Sequence, residues 1–330
     1  MPSLLSSAPA RRALRPVTAR IDRRIERALS QRARSQKPQV TRGDLAAVQT
    51  ELAELRAESG RLRETLGQAE QRLYAMELLL GRDGRGAGDR LPRKSQIMEL
   101  CRQITEVTGH TKPYAQVALA YRTLVELELR GVGRLAGSTS NILGKLTTTP
   151  LLAPPDGTVL EIGTLYGLFS GGLARQLARQ GIEADLTIVD PLADIQLQPD
   201  RARFGSDPSG SPVSETVART NLRLAGVDPA RLRLHRGFST DPEVQKAVSD
   251  RSYGVVIIDG DHSEEGVRKD LAWAEEITAP GGIVVMDDYG DDGWPGVQAA
   301  LDGHLAAGGS RLELLGTVST SAFLRARAAG

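Results

Sequence analysis

Two apolar, β-branched runs that both stop at aspartate constrain this chain more than any other feature. Val255-Val256-Ile257-Ile258 ends at Asp259, and Ile283-Val284-Val285-Met286 ends at Asp287 and Asp288, with a helical segment between them. Runs apolar on every residue fit parallel strands buried on both faces, and the intervening helix supplies the crossover. Two such strands, side by side, bring their terminal carboxylates together at one sheet edge, where ligands of open α/β sheets bind. Clustered carboxylates repel one another unless a cation or a proton relieves them. A divalent ion such as magnesium, which takes hard oxygen ligands, meets that need. For any one of the three aspartates, a helix cap or turn role is the alternative.

The rest of the sheet reads in the same direction. Thr158-Val-Leu-Glu161-Ile-Gly163-Thr-Leu-Tyr-Gly167-Leu-Phe-Ser170 is a strand, a glycine-containing turn and the start of a helix. Its E-x-G-x-x-x-G spacing differs from the dinucleotide fingerprint, and no phosphate-binding Lys-Ser/Thr follows. A second strand, Leu186 to Asp190, ends in an acid suited to a ribose diol. A third, Leu232 to His235, leads into Gly237-Phe-Ser239-Thr-Asp241. The last two, Leu312–Leu315 and Ala322–Arg325, have no helix between them, so the final strand enters antiparallel. Between Asp190 and the third strand, residues 191–213 are rich in Pro, Gly and Ser and read as a loop, long enough for a substrate lid.

Ahead of this domain the chain changes character. Residues 1–40 hold ten basic and two acidic residues in a chain whose overall net charge is +1. Leu14, Val17, Ile21, Ile25 and Ala28 recur there at helical spacing. Such an arm suits an anionic membrane surface or an acidic partner, and resembles an Arg-rich transit peptide; a solvated tail is the plain alternative. Nothing aromatic is interleaved with the charge, which argues against nucleic-acid binding. From Leu45 through Val48, Leu52, Leu55, Ser59, Leu62, Leu66, Ala69, Leu73 and Met76 to Leu80, steps of three and four alternate. That is a coiled-coil seam over 41–81, implying self-association, although Gly60 and Gly67 weaken it. Residues 82–94 read as a linker, followed by helices over Ile97–Val107 and Tyr114–Val132 that cover the ligand edge. The single cysteine, Cys101, fits a reducing compartment, and no long apolar run is present, so a cytoplasmic protein, peripheral at most to a membrane, is expected.

Residues 95 to 327 resemble class I S-adenosylmethionine-dependent methyltransferases, and within them the metal-dependent O-methyltransferase branch that includes catechol and caffeoyl-CoA enzymes. DGDHSEEGVRKDL, GGIVVMDDY and WPGVQAAL are similar to the bacterial group of macrolide-sugar O-methyltransferases and cephalosporin-hydroxylase-like proteins, and EIGTLYGLFS resembles the family's first motif. The resemblance implies a Rossmann-like, doubly wound, seven-stranded sheet with an antiparallel last strand. It implies that Glu161, Gly163 and Gly167 surround the methionine part of S-adenosylmethionine, that Asp190 holds the ribose, and that Ser239 contacts the adenine region. Asp259, Asp287 and Asp288 match the metal-ligand positions, where the catechol enzymes carry Asp, Asp and Asn. His262 stands where those enzymes carry Lys, and an imidazole there can accept the proton of a substrate hydroxyl.

Each residue has a plainer reading. Glu161 and Asp190 can serve loop hydrogen bonds, His262 can be a helix-start residue, and Asp261 can be a cap or a partner of His262. The expected activity is Mg2+-dependent O-methylation of a sugar, glycan or natural-product hydroxyl. The alternatives are a catechol-like small-molecule O-methyltransferase and a catalytically silent coiled-coil scaffold. The loop over 191–213 departs from the catechol pattern and puts catechol itself in doubt as a substrate.

Overall fold

The computed structural model describes residues 19–28, 30–31, 41–80, 90–193 and 210–328. Most of the loop read as a lid, most of the basic arm and most of the linker lie outside the described residues. The chain divides into two compact units, Met1–Arg72 and Leu73–Gly330. In the first, residues 19–28 are helical, and the heptad stretch begins within one continuous helix, α1 (Arg42–Leu80). Its cap is local: Thr41 Oγ1 accepts from the Asp44 backbone N–H at 3.2 Å, and the Asp44 carboxylate accepts from the Thr41 N–H at 3.0 Å. Leu45, Val48, Leu52, Leu62 and Leu73 of the heptad are exposed in the single chain. No described helix is long and apolar enough to cross a membrane.

The second unit is built on a seven-stranded sheet. Three helices precede it: α2 (Lys94–Thr108), α3 (Tyr114–Arg130) and α4 (Thr139–Leu151). The sheet elements follow as β1 (Thr158–Ile162), α5 (Leu168–Arg179), β2 (Asp185–Asp190), α6 (Glu215–Ala225) and β3 (Leu232–Arg236). Then come α7 (Pro242–Val248), β4 (Tyr253–Ile258), α8 (Glu264–Ile277), β5 (Thr278–Met286), α9 (Pro295–Ala306), β6 (Leu312–Val318) and β7 (Ser321–Ala326). The strand order is β3-β2-β1-β4-β5-β7-β6. The first five strands are parallel, and β7 runs antiparallel to both β5 and β6, as the missing helix before it requires. Order reverses beside β1, which places the switch point where β1, β2 and β4 end.

The two-residue period of the strands divides the core. Val255, Ile257, Ile283 and Val285 face one layer with Leu124, Ile142, Leu146 and Leu173. Val256, Ile258, Val284 and Met286 face the other with Val267, Leu271, Trp273 and Leu301. Both faces are covered, so every residue of β4 is buried and the run has no polar position.

Two features mark the approach to the sheet. Arg90, within the stretch read as a linker, is 3% exposed and is tied down. Its guanidinium donates to both Glu128 carboxylate oxygens and to the Gly137 carbonyl at 2.8 Å, and α2 starts at Lys94. A buried guanidinium needs such partners to offset its lost hydration. The sequence reading also passed over α4. Ser138 caps it, its Oγ accepting from the Asn141 N–H at 3.2 Å. A threonine run, Gly144 and Pro150 conceal the apolar face made by Ile142, Leu143 and Leu146.

Candidate active site

The strand ends are joined by backbone bonds that carry the ladder one residue past the sheet. The Gly163 N–H donates to the Val189 carbonyl at 2.9 Å, Asp259 to Ile162 at 2.9 Å, and Asp287 to Ile258 at 3.0 Å. Asp259 is therefore placed between the first glycine turn and Asp287, as the two strand endings implied. A cavity of about 470 Å³ opens above these ends. Of the expected residues, Glu161, Gly163, Asp190, Ser239, Asp259 and His262 line it, together with Lys145, Phe169 and Phe238. Gly167, Asp287 and Asp288 do not line it.

The glycines act through the backbone. Gly163 has φ +85, and a Cβ there would lie 2.1 Å from the Asp259 carbonyl, so this turn and the end of β4 touch only because no side chain intervenes. Gly167 has φ +73 at the N-cap of α5, where a Cβ would press on the Ala218 carbonyl of α6. Its place is helix packing rather than the cavity wall.

At the β1–β2 end, the carboxylates are engaged by their own loop. Glu161 is 1% exposed and accepts from the Thr164 hydroxyl and from Ser170 Oγ, the latter at 2.7 Å. Burial pushes its pKa up to about 7, with the Asp190 charge adding to the rise and the two hydroxyls opposing it. Asp190 accepts from three backbone N–H groups: Thr164 at 2.6 Å, Leu165 at 3.0 Å and Leu192 at 2.6 Å. Leu165 and Leu192 both have positive φ, so Asp190 holds two strained corners of the cavity rim. Burial raises the nearby Asp270 carboxyl to about 6, against the opposing influence of the Ser239 hydroxyl.

At the β4–β5 end, the decisive group comes from outside the motifs. Lys145 of α4 is 1% exposed, and its ammonium donates to Asp287 Oδ2 and lies 3.5 Å from Asp259 Oδ2. It also sits 4.8 Å from the centroid of the Phe169 ring. One helical turn earlier, Asn141 Nδ2 donates to Asp287 Oδ1 at 2.7 Å, and Ser321 Oγ of β7 donates to the same oxygen at 3.1 Å. Asp287 is thus satisfied on both oxygens by three side chains. Burial works to raise its pKa, but the Lys145 charge and these donors hold it below the usual carboxylate range. Asp259 moves the other way, well above the usual carboxylate range, through burial and the adjacent Asp287 charge. On Lys145 burial favours the neutral amine, yet the aspartate charges outweigh it and raise the pKa.

His262 stacks on Trp294 at 4.4 Å between ring centroids. Its Nε2 is 3.1 Å from Asp288 Oδ2 and 3.8 Å from Asp259 Oδ1. Asp288 itself has φ +55, a left-handed corner that Asp tolerates better than most residues, and this conformation follows directly on the end of β5. Asp261 is a turn residue: its Oδ1 accepts from the Ser263 N–H at 2.8 Å, and Ser263 caps α8.

The donor set does not suit a divalent ion in this arrangement. Such an ion needs several oxygens with free lone pairs directed at one point. Here an ammonium occupies the approach to Asp259 and Asp287, and Asp288 turns to His262. Among the described residues, no group of three or more His, Cys, Asp or Glu side chains is disposed to hold a metal.

Lys145 and Asn141 are the site residues that sequence reasoning missed. The available signal was a lone lysine inside an apolar stretch, Ile142-Leu143-Gly144-Lys145-Leu146, one helical turn after Asn141. A lysine is ordinarily a surface residue, and nothing local indicates a partner more than a hundred positions away.

Residues 160–289 match the family model described as a methyltransferase domain. No curated relative matches the chain. Among solved structures, the chain is similar to the O-methyltransferase TomG from Streptomyces achromogenes, in complex with S-adenosylmethionine: 18% identity over 77% of this chain and 95% of that one, TM-score 0.39. It is similar to an O-methyltransferase from Bacillus cereus in complex with S-adenosylhomocysteine, at 15% identity over 76% of this chain and 99% of that one, TM-score 0.40. A third likeness is to the O-methyltransferase NovP, at 19% identity over 70% of this chain and 99% of that one, TM-score 0.43.

Proposed function

We propose that the chain is a class I, S-adenosylmethionine-dependent methyltransferase that methylates a hydroxyl oxygen of a sugar, glycan or other natural-product acceptor; the methyltransferase-domain match over residues 160–289 and the sheet order support the reading. The observation that carries this reading is a single cavity with two chemically distinct ends. One end has Glu161, Gly163, Asp190 and Ser239; the other has Lys145, Asp259 and His262. The cofactor belongs at the first end, with Glu161 facing its amino group and the Asp190 corner beside its ribose. The acceptor belongs at the second.

The metal-dependent version of the reading, with Mg2+ on Asp259, Asp287 and Asp288, does not fit the donor arrangement. Methyl transfer forms an O–CH3 bond as the S–CH3 bond of the sulfonium breaks, and the hydroxyl proton must leave. His262 takes that proton. Trp294 fixes the plane of its ring, and Asp288 stabilises the imidazolium that results. The sulfonium already supplies the electrophile, so the protein's task is alignment and charge stabilisation.

A methyl-transfer screen over sugar and phenol panels tests the acceptor class. Turnover on sugars and none on phenols supports the proposal; the reverse result sinks it. With an acceptor in hand, His262→Ala should lower kcat by roughly 10²–10⁴-fold, with partial recovery at high pH where solvent carries the proton. Unchanged kcat would move the base elsewhere.

A further inference from the structure

Three aspartates at adjacent strand ends demand positive charge, and that demand can be met by an ion from solution or by a cation of the chain itself. The second case is built here. Lys145 is wholly buried on α4, on the far side of β1 in sequence, and its ammonium is aimed between Asp287 and Asp259. Asn141, on the same helix face, completes the shell around Asp287 from the other oxygen. Asp287 and Lys145 are both buried, so a second cation of charge +2 placed against these oxygens would face the lysine within a few ångströms at low dielectric.

We propose that Lys145 is the resident cation of this site: its ammonium takes the place of a divalent ion between Asp259 and Asp287, so that the protein works without metal. The proposal rests on the functional reading above only for where the acceptor goes; the charge argument needs the four side chains alone. One positive charge then faces the acceptor instead of two. Proton removal falls to His262 rather than to a metal-acidified hydroxyl. The same logic makes the Lys145 charge the largest barrier to metal: without it, Asp259 and Asp287 regain oxygens that a hard cation can take, and Asp288 can turn from His262 to join them.

Titration of the full chain with MnCl2, read by electron paramagnetic resonance, tests this. Wild-type protein should show no stoichiometric site. Lys145→Met, which keeps the length and removes the charge, should gain one, binding at least roughly tenfold more tightly than any residual wild-type association, as removing one like charge from the site requires. Adding Asp287→Asn to that variant should abolish the gain. One Mn2+ per wild-type chain, lost on Asp287→Asn, overturns the proposal, as does a folded Lys145→Met protein that gains no site. Should Lys145→Met fail to fold, the wild-type titration decides alone. S-adenosylhomocysteine titrated into the same metal-free samples separates the two readings. Its failure to bind counts against methyl transfer, whereas its binding alongside a wild-type Mn2+ site counts only against the lysine.

Discussion

The two ends of the cavity solve one problem by different means. At the β1–β2 end, Glu161 and Asp190 are satisfied by groups within a few residues of β1 and β2: Thr164, Ser170 and the N–H groups of Thr164, Leu165 and Leu192. At the β4–β5 end, Asp287 is satisfied by Asn141 and Lys145 of α4 and by Ser321 of β7, all distant in sequence. Neutral donors close at hand leave a carboxyl that burial can still protonate, so Glu161 rises to about 7. A full charge brought from afar keeps Asp287 ionised in a comparable degree of burial. Neutral local donors leave Glu161 tunable, whereas the ammonium keeps Asp287 ionised and leaves Asp259, 3.5 Å from that ammonium, to be raised by burial and the Asp287 charge.

The largest effect should come from breaking the distant arrangement. Lys145→Met leaves Asp287 buried without its counter-charge and should cost about 3–5 kcal/mol of stability near neutral pH. Urea unfolding of the variant measures this, and Asp287→Asn on top of it should recover a substantial part. A loss below about 1 kcal/mol would mean that the ammonium contributes little beyond its packing.

The local arrangement should show itself in pH. Glu161 holds its proton more tightly in the folded chain than at its ordinary value of 4.5, because its folded value is about 7. Its contribution to stability is therefore complete below about pH 4.5 and is lost as pH rises through 7, by about 3 kcal/mol in all. In the cofactor-free protein Glu161→Gln should remove this component, seen as a flatter urea midpoint between those values. Cofactor binding sharpens the contrast: the amino group of S-adenosylhomocysteine should expel the proton. Calorimetry in buffers of different ionisation enthalpy near pH 7 should then register proton release in the wild type and none in Glu161→Gln.

The smallest effect concerns Asp190. It caps two positive-φ corners of the rim, so Asp190→Ala should weaken S-adenosylhomocysteine binding by about 1.5–3 kcal/mol, the range for hydrogen bonds to a charged group. Titration calorimetry reads the loss. Unchanged affinity in a folded variant would place the ribose away from this end.

What the sequence determined by itself is the frame and the position of the acids. Runs such as Val255–Ile258 and Ile283–Met286 can be satisfied only by burial on both faces, and their abrupt ends at Asp259 and Asp287 fix which edge carries the chemistry. The absence of a helix between β6 and β7 likewise determined the direction of the last strand. These are local properties, readable because strand period and chain reversal depend on neighbouring residues. The tertiary structure decided which cation meets the carboxylates. Lys145 is 142 positions from Asp287, on a helix whose threonines and Gly144 disguise it. The strand endings state a charge that must be neutralised, but a Coulomb interaction depends on distance in space and not on separation along the chain. Only the packing of α4 against the ends of β4 and β5 brings that ammonium within reach.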